Sequence, residues 1–200
     1  MSTRSRLACI LAILLGASCL NAQAQDQDST DTPPGGRRST KSEHLLPQSV
    51  IIPLKAVREA FPEVTRQVTT GPDSGALDNP RLTRVVVYAS RDGAKQVALS
   101  VDEYEYESQA VLAYQQAEQK SQLPEFEPIA ISNVGQQVFA GAIKREGGTQ
   151  IIVVTLNDTL LVAVRLTGYE DTTDNISKLV ELARLQESGT HTRGSAFRKR

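Results

Sequence analysis

The spacing of apolar residues along the chain changes period several times, and each change predicts an element. Leu54, Val57 and Phe61 fall on one side of a short helix that Pro53 opens and Pro62 stops. Residues 65–82, with Gly71, Pro72, Gly75 and Pro80, read as a loop. The run LTRVVVYAS predicts a strand, Asp92-Gly93 a tight turn, and KQVALSVDEY the returning strand of a hairpin. In ESQAVLAYQQAEQK the apolar positions Ala110, Val111, Tyr114 and Ala117 recur at helical spacing, with Ser108 as the expected N-cap.

The second half repeats this plan. QQVFAGAIKR, TQIIVVTL and TLLVAVRLTG predict a three-stranded meander turning at Gly147-Gly148 and Asn157-Asp158. Thr172 to Asp174 offer capping side chains to a closing helix whose buried side is marked by Ile176, Leu179, Val180 and Ala183. The stretch 148–168 is the most apolar of the exported portion, yet Asn157, Asp158 and Arg165 would lie inside any membrane span it formed. It therefore reads as two buried strands and a turn. Residues 151–156 are apolar at almost every position, which requires cover on both faces of the sheet. The expected fold is α+β: an antiparallel sheet of about five strands covered by helices, an α/β/α sandwich in the order αββαβββα.

The termini set the domain plan and the compartment. Arg4 and Arg6 precede a short apolar run, Leu7 to Leu15, and small residues follow, the layout of a secretory signal over residues 1–24 with cleavage after Ala22-Gln23-Ala24. Leu15-Gly16-Ala17-Ser18-Cys19 offers an alternative, a bacterial lipobox whose cysteine becomes a lipid anchor; Gly16 stands where an apolar residue is expected. Residues 25–48 read as a flexible polar tether, 49–187 as one α+β domain, and 188–200, ending in Arg198-Lys199-Arg200, as a disordered basic tail. The expected location is periodplasmic or secreted, or membrane-attached if Cys19 is lipidated.

Losing the signal removes both cysteines, Cys9 and Cys19, so the exported domain relies on its core and not on disulfides. It also removes Arg4 and Arg6, leaving 20 basic against 23 acidic residues, a formal charge of −3 that gives no electrostatic case for nucleic-acid binding. The two histidines, His44 and His191, fall in the tether and the tail, so neither a Ser-His-Asp arrangement nor a histidine metal site is expected. No glycine-rich phosphate loop occurs, and no cofactor is expected.

Carboxylates and tyrosines remain. In VDEYEYES, strand alternation would bring Glu103, Glu105 and Glu107 to one side and Asp102, Tyr104 and Tyr106 to the other. Three converging carboxylates could hold calcium or a cationic ligand; the alternative is a solvated strand end with Glu107 near the next helix N-terminus. Glu170, Asp171 and Asp174 read as capping residues and lack EF-hand spacing. Tyr88, Tyr104, Tyr106, Tyr114 and Tyr169 are candidates for lining a pocket, with Tyr114 placed in the core. The ligand-binding candidates are thus Glu103, Glu105, Tyr104, Tyr106 and Tyr169, with no catalytic residue and no metal ligand assigned.

The succession RVVVYASRDGAKQVALSVDEYEYESQAVLAYQQAEQ, ISNVGQQVFAG and IIVVTLNDTLLVAVRL, followed by a terminal helix, resembles exported sensor-type and lipoprotein domains with a PsbP-like α/β/α sandwich. Such domains occur on the outer side of actinobacterial receptor kinases and in small envelope lipoproteins. The resemblance spans roughly residues 50–187. Val134-Gly135-Gln136-Gln137 corresponds to the family's VGDEA-type segment without its acidic residue, and Asn157-Asp158 to its RxGN-type turn. The resemblance implies the fold and a non-catalytic role, and no functional residue. The expected function is a non-catalytic exported binding or sensor-like module for a small molecule, peptide or envelope partner. The alternatives are an envelope assembly or stress factor acting by protein contact through an uncovered sheet edge, and a carboxylate-based hydrolase using residues 102–107.

Overall fold

A computed structural model of the chain describes residues 45–69, 80–120, 124–145 and 148–197. Its elements are α1 (Leu54–Ala60), β1 (Val64–Thr69), β2 (Leu82–Ser90), β3 (Gln96–Glu103), α2 (Glu107–Lys120), β4 (Phe126–Pro128), β5 (Gln137–Arg145), β6 (Gly148–Asn157), β7 (Leu160–Thr167) and α3 (Thr173–Phe197). The strands form one antiparallel sheet in the order β1-β2-β3-β7-β6-β5-β4. The α+β class, the antiparallel sheet and its covering helices agree with expectation; the sheet has seven strands where about five are expected. Both additional strands lie at edges. In β1 Val64 is buried and the next four residues are exposed, so a strand paired on one side leaves little hydrophobic signal. β4 is three residues long.

The two faces of the sheet carry separate cores. On one, Val57 of α1, Phe61 just after it, and Leu179, Val180, Leu182 and Ala183 of α3 pack against Val86, Leu99, Val101, Ile151, Val153, Val162 and Val164. On the other, Ala110, Ala113 and Tyr114 of α2 meet Ile152, Val154, Leu156 and Leu161. Successive residues of β6 thus enter opposite cores, and every position from Gln150 to Leu156 is buried. This is the two-sided cover that the apolar run demands.

Two helix boundaries differ from the sequence reading. α2 starts at Glu107, where the Tyr106 carbonyl accepts hydrogen bonds from the amides of Gln109 (3.1 Å) and Ala110 (3.3 Å). Ser108 therefore lies inside the first turn and is not the cap. α3 runs on to Phe197, past residue 187.

The folded body begins by residue 45. Leu45 bridges Thr83 in parallel, and the Leu46 amide donates to the Thr83 carbonyl at 3.2 Å. Arg84 Nε donates to the Leu46 carbonyl, and the Tyr88 hydroxyl to that of Ile52. Buried Gln186 completes the seam: its Oε1 accepts from the Ile52 amide at 3.0 Å, and its Nε2 donates to the Val50 carbonyl at 2.9 Å. A side-chain amide here satisfies a donor and an acceptor of buried extended backbone, as a neighbouring strand would.

Candidate functional site

The acidic cluster does not assemble as strand alternation predicts. β3 ends at Glu103, so the period-two relation fails beyond it: Tyr104 turns inward and α2 starts three residues later. Glu103 is half-buried, Glu105 and Tyr106 are exposed, and Glu107 occupies the first turn of α2, where a carboxylate complements the helix dipole. Asp102 projects from the other face of β3 and accepts a hydrogen bond from the Thr83 hydroxyl at 2.5 Å. Among the described residues no group of three or more His, Cys, Asp or Glu side chains could hold a metal ion.

The tyrosines separate as well. Tyr104 is buried in the α2 core, its amide donating to the Thr159 carbonyl at 2.9 Å. Tyr114 packs edge-on against Phe139, and burial followed by the nearby Glu118 carboxylate pushes its phenol up to about 12. Tyr88 lies in the opposite core, where burial pushes it up to about 12. Tyr169 is buried there too, against Phe61 at 5.1 Å between ring centroids, with Lys95 Nζ 5.0 Å from its own centroid. Burial, and then the Glu63 carboxylate, raise its phenol above the ordinary value. Four of the five tyrosines are thus core residues. Tyr106, 59% exposed, is the one at the surface. Of the candidates Glu103, Glu105, Tyr104, Tyr106 and Tyr169, the first four cluster at the end of β3, and Tyr169 lies with the β7–α3 junction near the Asp92 turn. The signal segment, Cys9, Cys19, the tether through His44, and Arg198–Arg200 lie outside the described residues, as does the side chain of His191.

Among the described residues, cover is uneven on the α2 face of the sheet. Strand register sorts that face into rows running across it. From β2 toward β5 these are Thr83, Asp102, Leu161, Leu156 and Gln137; Val85, Ser100, Ala163, Val154 and Phe139; and Val87, Ala98, Arg165, Ile152 and Gly141. Val68 of β1 joins the Val87 row, and Arg66 pairs with Ala89 in the row beyond. α2 packs on the β7-β6-β5 part of each row. No helix among the described residues packs on the β1-β2-β3 part. Val85, Val87, Ala98 and Ser100 there stay half-buried, and Val68 is 36% exposed.

The result is a step: a floor of valine, alanine and serine side chains on three strands, with α2 as its wall. Its two ends differ in charge. Asp102 stands at the end where α2 begins, and Arg66 at the Asp92 end, its guanidinium reaching to 3.8 Å from where a Cβ on Gly93 would stand. What this floor offers chemically is shape, apolar area and hydroxyl groups, with the Thr83 hydroxyl bound to the Asp102 carboxylate at one end. The residues Val68, Val85, Val87, Ala98 and Ser100 are absent from the sequence-based candidates. The signal available was a count: a wide sheet needs two helices on each face, and the predicted order supplies three in all.

Polar ties hold the loops around this face. Lys95 Nζ pairs with Glu63 Oε1 at 2.7 Å, joining β1 to the β2–β3 hairpin, and this hydrogen bond holds the Glu63 carboxyl below its ordinary value. The Ser90 hydroxyl and the Ala94 amide donate to Asp92 Oδ1 at 2.5 and 3.1 Å, which lowers the Asp92 carboxyl and fixes the turn.

No family model and no curated protein matches the sequence. Among solved structures, the extracellular domain of PknH from Mycobacterium tuberculosis superposes with a TM-score of 0.45 at 8% sequence identity, over 70% of this chain and 93% of that one. At that score the likeness assigns neither a family nor a function. No described helix is long and apolar enough to cross a membrane.

Proposed function

We propose that the chain is an exported, non-catalytic binding or sensor-like module that engages a small molecule, peptide or envelope partner on the open part of its sheet beside α2. One observation carries this reading: α2 covers only part of its face, leaving Val85, Val87, Ala98 and Ser100 half-buried under no described helix, with Val68 exposed beside them. The N-terminal layout supports export, with cleavage after Ala24 or lipid attachment at Cys19. The order of hairpin, helix, meander and helix supports a PsbP-like arrangement.

The test is a thermal-shift screen of the exported portion against metals, sugars and peptides, repeated on Val87→Asp. A ligand selective for the native state raises the melting temperature by mass action, by about 2.7 kcal/mol of stability at a hundred times its Kd. The expected result is a hit that Val87→Asp abolishes while the unliganded melting temperature stays within a few degrees. A hit indifferent to that substitution removes the floor from the reading.

A second reading, an assembly factor acting by protein contact, is favoured by the outer edge of β1. Thr65 to Val68 are exposed, and β1 is an edge strand of the sheet. It predicts a stoichiometric protein partner whose capture survives Val87→Asp.

A further inference from the structure

We infer that the corner where α3 meets the loop between β4 and β5 is a weak calcium site, with Glu187 as its charged ligand and backbone carbonyls as its neutral ones. The corner belongs to the α3 side of the sheet, so the inference is independent of the floor beside α2.

Burial poses the question. Glu187 is 8% exposed; its Oε2 accepts from the Gly135 amide at 3.2 Å, and its Oε1 has no hydrogen-bond partner. Among the described residues no cation pairs with it. Arg184, nearly one turn earlier, is engaged elsewhere. Its Nε and Nη2 donate to the carbonyls of Asn133 (3.3 Å) and Ser132 (3.5 Å), and its Nη1 pairs with Glu181 at 3.4 Å. A buried carboxylate without a counter-charge is costly unless a cation or a donor completes it.

What surrounds this carboxylate is oxygen. Glu187 Oε1 and the Leu156 carbonyl oxygen each stand 2.9 Å, and the Gln137 carbonyl oxygen 3.2 Å, from the point that a Cβ on residue 135 would occupy. Glycine leaves these oxygens bare, and at its left-handed φ of 61° it presents its amide to Oε2 without steric cost. Gln136 draws the strands together: its amide donates to the Leu156 carbonyl at 2.8 Å, and its side chain holds Asp158, which adds negative charge nearby. Thr155, the residue before Leu156, is fully buried with an unpartnered hydroxyl. Two of the four buried unpartnered side-chain atoms among the described residues thus adjoin one corner, which is where a missing ligand belongs.

The donor set selects the ion. Carboxylate and carbonyl oxygens suit hard cations, whereas zinc and copper favour sulfur and imidazole. Magnesium demands a near-ideal octahedron and sheds its water reluctantly; calcium accepts about six to eight oxygens in irregular arrangements. Gly135, Gln136 and Gln137 are exposed, so water has access to complete its shell. A single carboxylate ligand puts the affinity in the range of weak extracellular modules, about 10⁻⁴–10⁻³ M. Bound calcium would tie α3 to the β4–β5 loop and the end of β6.

The experiment uses the full chain, stripped of ions with EDTA and dialysed, and reads its melting temperature near neutral pH. With a Kd of about 1 mM, about 10 mM CaCl2 is expected to raise it by about 3–6 °C. MgCl2 at the same concentration and NaCl at matched ionic strength should raise it markedly less. Glu187→Gln keeps the side chain's shape and removes its charge, and should lose the calcium-specific rise. Deuterium exchange on the parent protein locates the effect without relying on that variant: calcium is expected to protect residues 132–137 and the adjoining turn of α3 and to leave β1 unchanged. The inference is overturned if calcium raises the melting temperature no more than magnesium does, if the rise survives Glu187→Gln, or if protection appears away from this corner. A calcium response removed by Glu187→Gln belongs to this corner and leaves the reading of the floor, tested by Val87→Asp, untouched.

Discussion

The two parts of the sheet on the α2 side are built from similar residues and meet different fates. In the row Val85, Ser100, Ala163, Val154 and Phe139, the last two members are locked beneath Tyr114 and Phe126, whereas the first two lie under no described helix. Aliphatic content does not distinguish them: β2 carries Val85, Val86 and Val87 in succession, as β6 carries Ile151 to Val154. The difference is the single helix α2, seated over β6 and β7. β2 sends Val86 and Tyr88 into the core beneath α1 and α3, while on its other face Val85 and Val87 stay half-buried between buried Thr83 and Ala89. A strand's apolar run thus reports how much cover it can accept, and the helices decide how much it receives.

Cutting side chains from the two parts measures that difference. Leu156 is 1% exposed and contacts the α2 core, so Leu156→Ala removes buried volume from a site with few ways to collapse, and a loss of about 2–5 kcal/mol is expected from denaturant unfolding. Val85→Ala, one row along on the open strands, deletes two methyl groups that already touch solvent, and a loss below about 1 kcal/mol is expected in the same assay. Equal losses would mean that the open strands are as tightly covered as β6, which would take the floor away.

Much of this architecture can be read from the chain, and the unread parts share a cause. The hairpin at Asp92-Gly93, the meander turning at Asn157-Asp158 and the helical stripe of Leu179, Val180 and Ala183 are local patterns with local causes. Asp158 adopts a left-handed backbone at φ 51°, and Gln136 clasps that turn by donating to Asp158 Oδ1 at 2.9 Å and accepting from its amide at 3.1 Å. β1 was unreadable because an exposed edge strand needs only one buried residue, Val64. The three-carboxylate site failed because sequence does not reveal that β3 stops at Glu103 and that Tyr104 turns inward. The open floor was hidden for a different reason: it is defined by where α2 packs, a tertiary fact with no signature in β1, β2 or β3 themselves. Gln186 shows the same limit, since its bonds to Val50 and Ile52 join residues more than 130 positions apart.

The smallest expected effect concerns how the open strands keep their place without a helix above them. At the Asp92 end, Glu63 at the start of β1 is tied to Lys95 of the hairpin, and the bond holds the Glu63 carboxyl below its ordinary value. A group whose pKa is lowered by folding binds fewer protons in the native state than in the unfolded one, so the stability it contributes is present above the unfolded pKa, near 4.5, and is lost as pH falls through the native value. Both side chains are about two-fifths exposed, so solvent screening reduces the pair to a fraction of 1 kcal/mol. Glu63→Gln should accordingly melt slightly below the parent protein near neutral pH, and the gap should close as the solution is acidified below the carboxylate range. Added salt should narrow it as well, because exposed charges are screened over about 10 Å at 0.1 M. Deuterium exchange should place the change in β1 and the Asp92 turn and leave β6 untouched. Protection lost equally from β6 would mean that the sheet opens as one unit, so that the covered and open parts differ in surface and not in local stability.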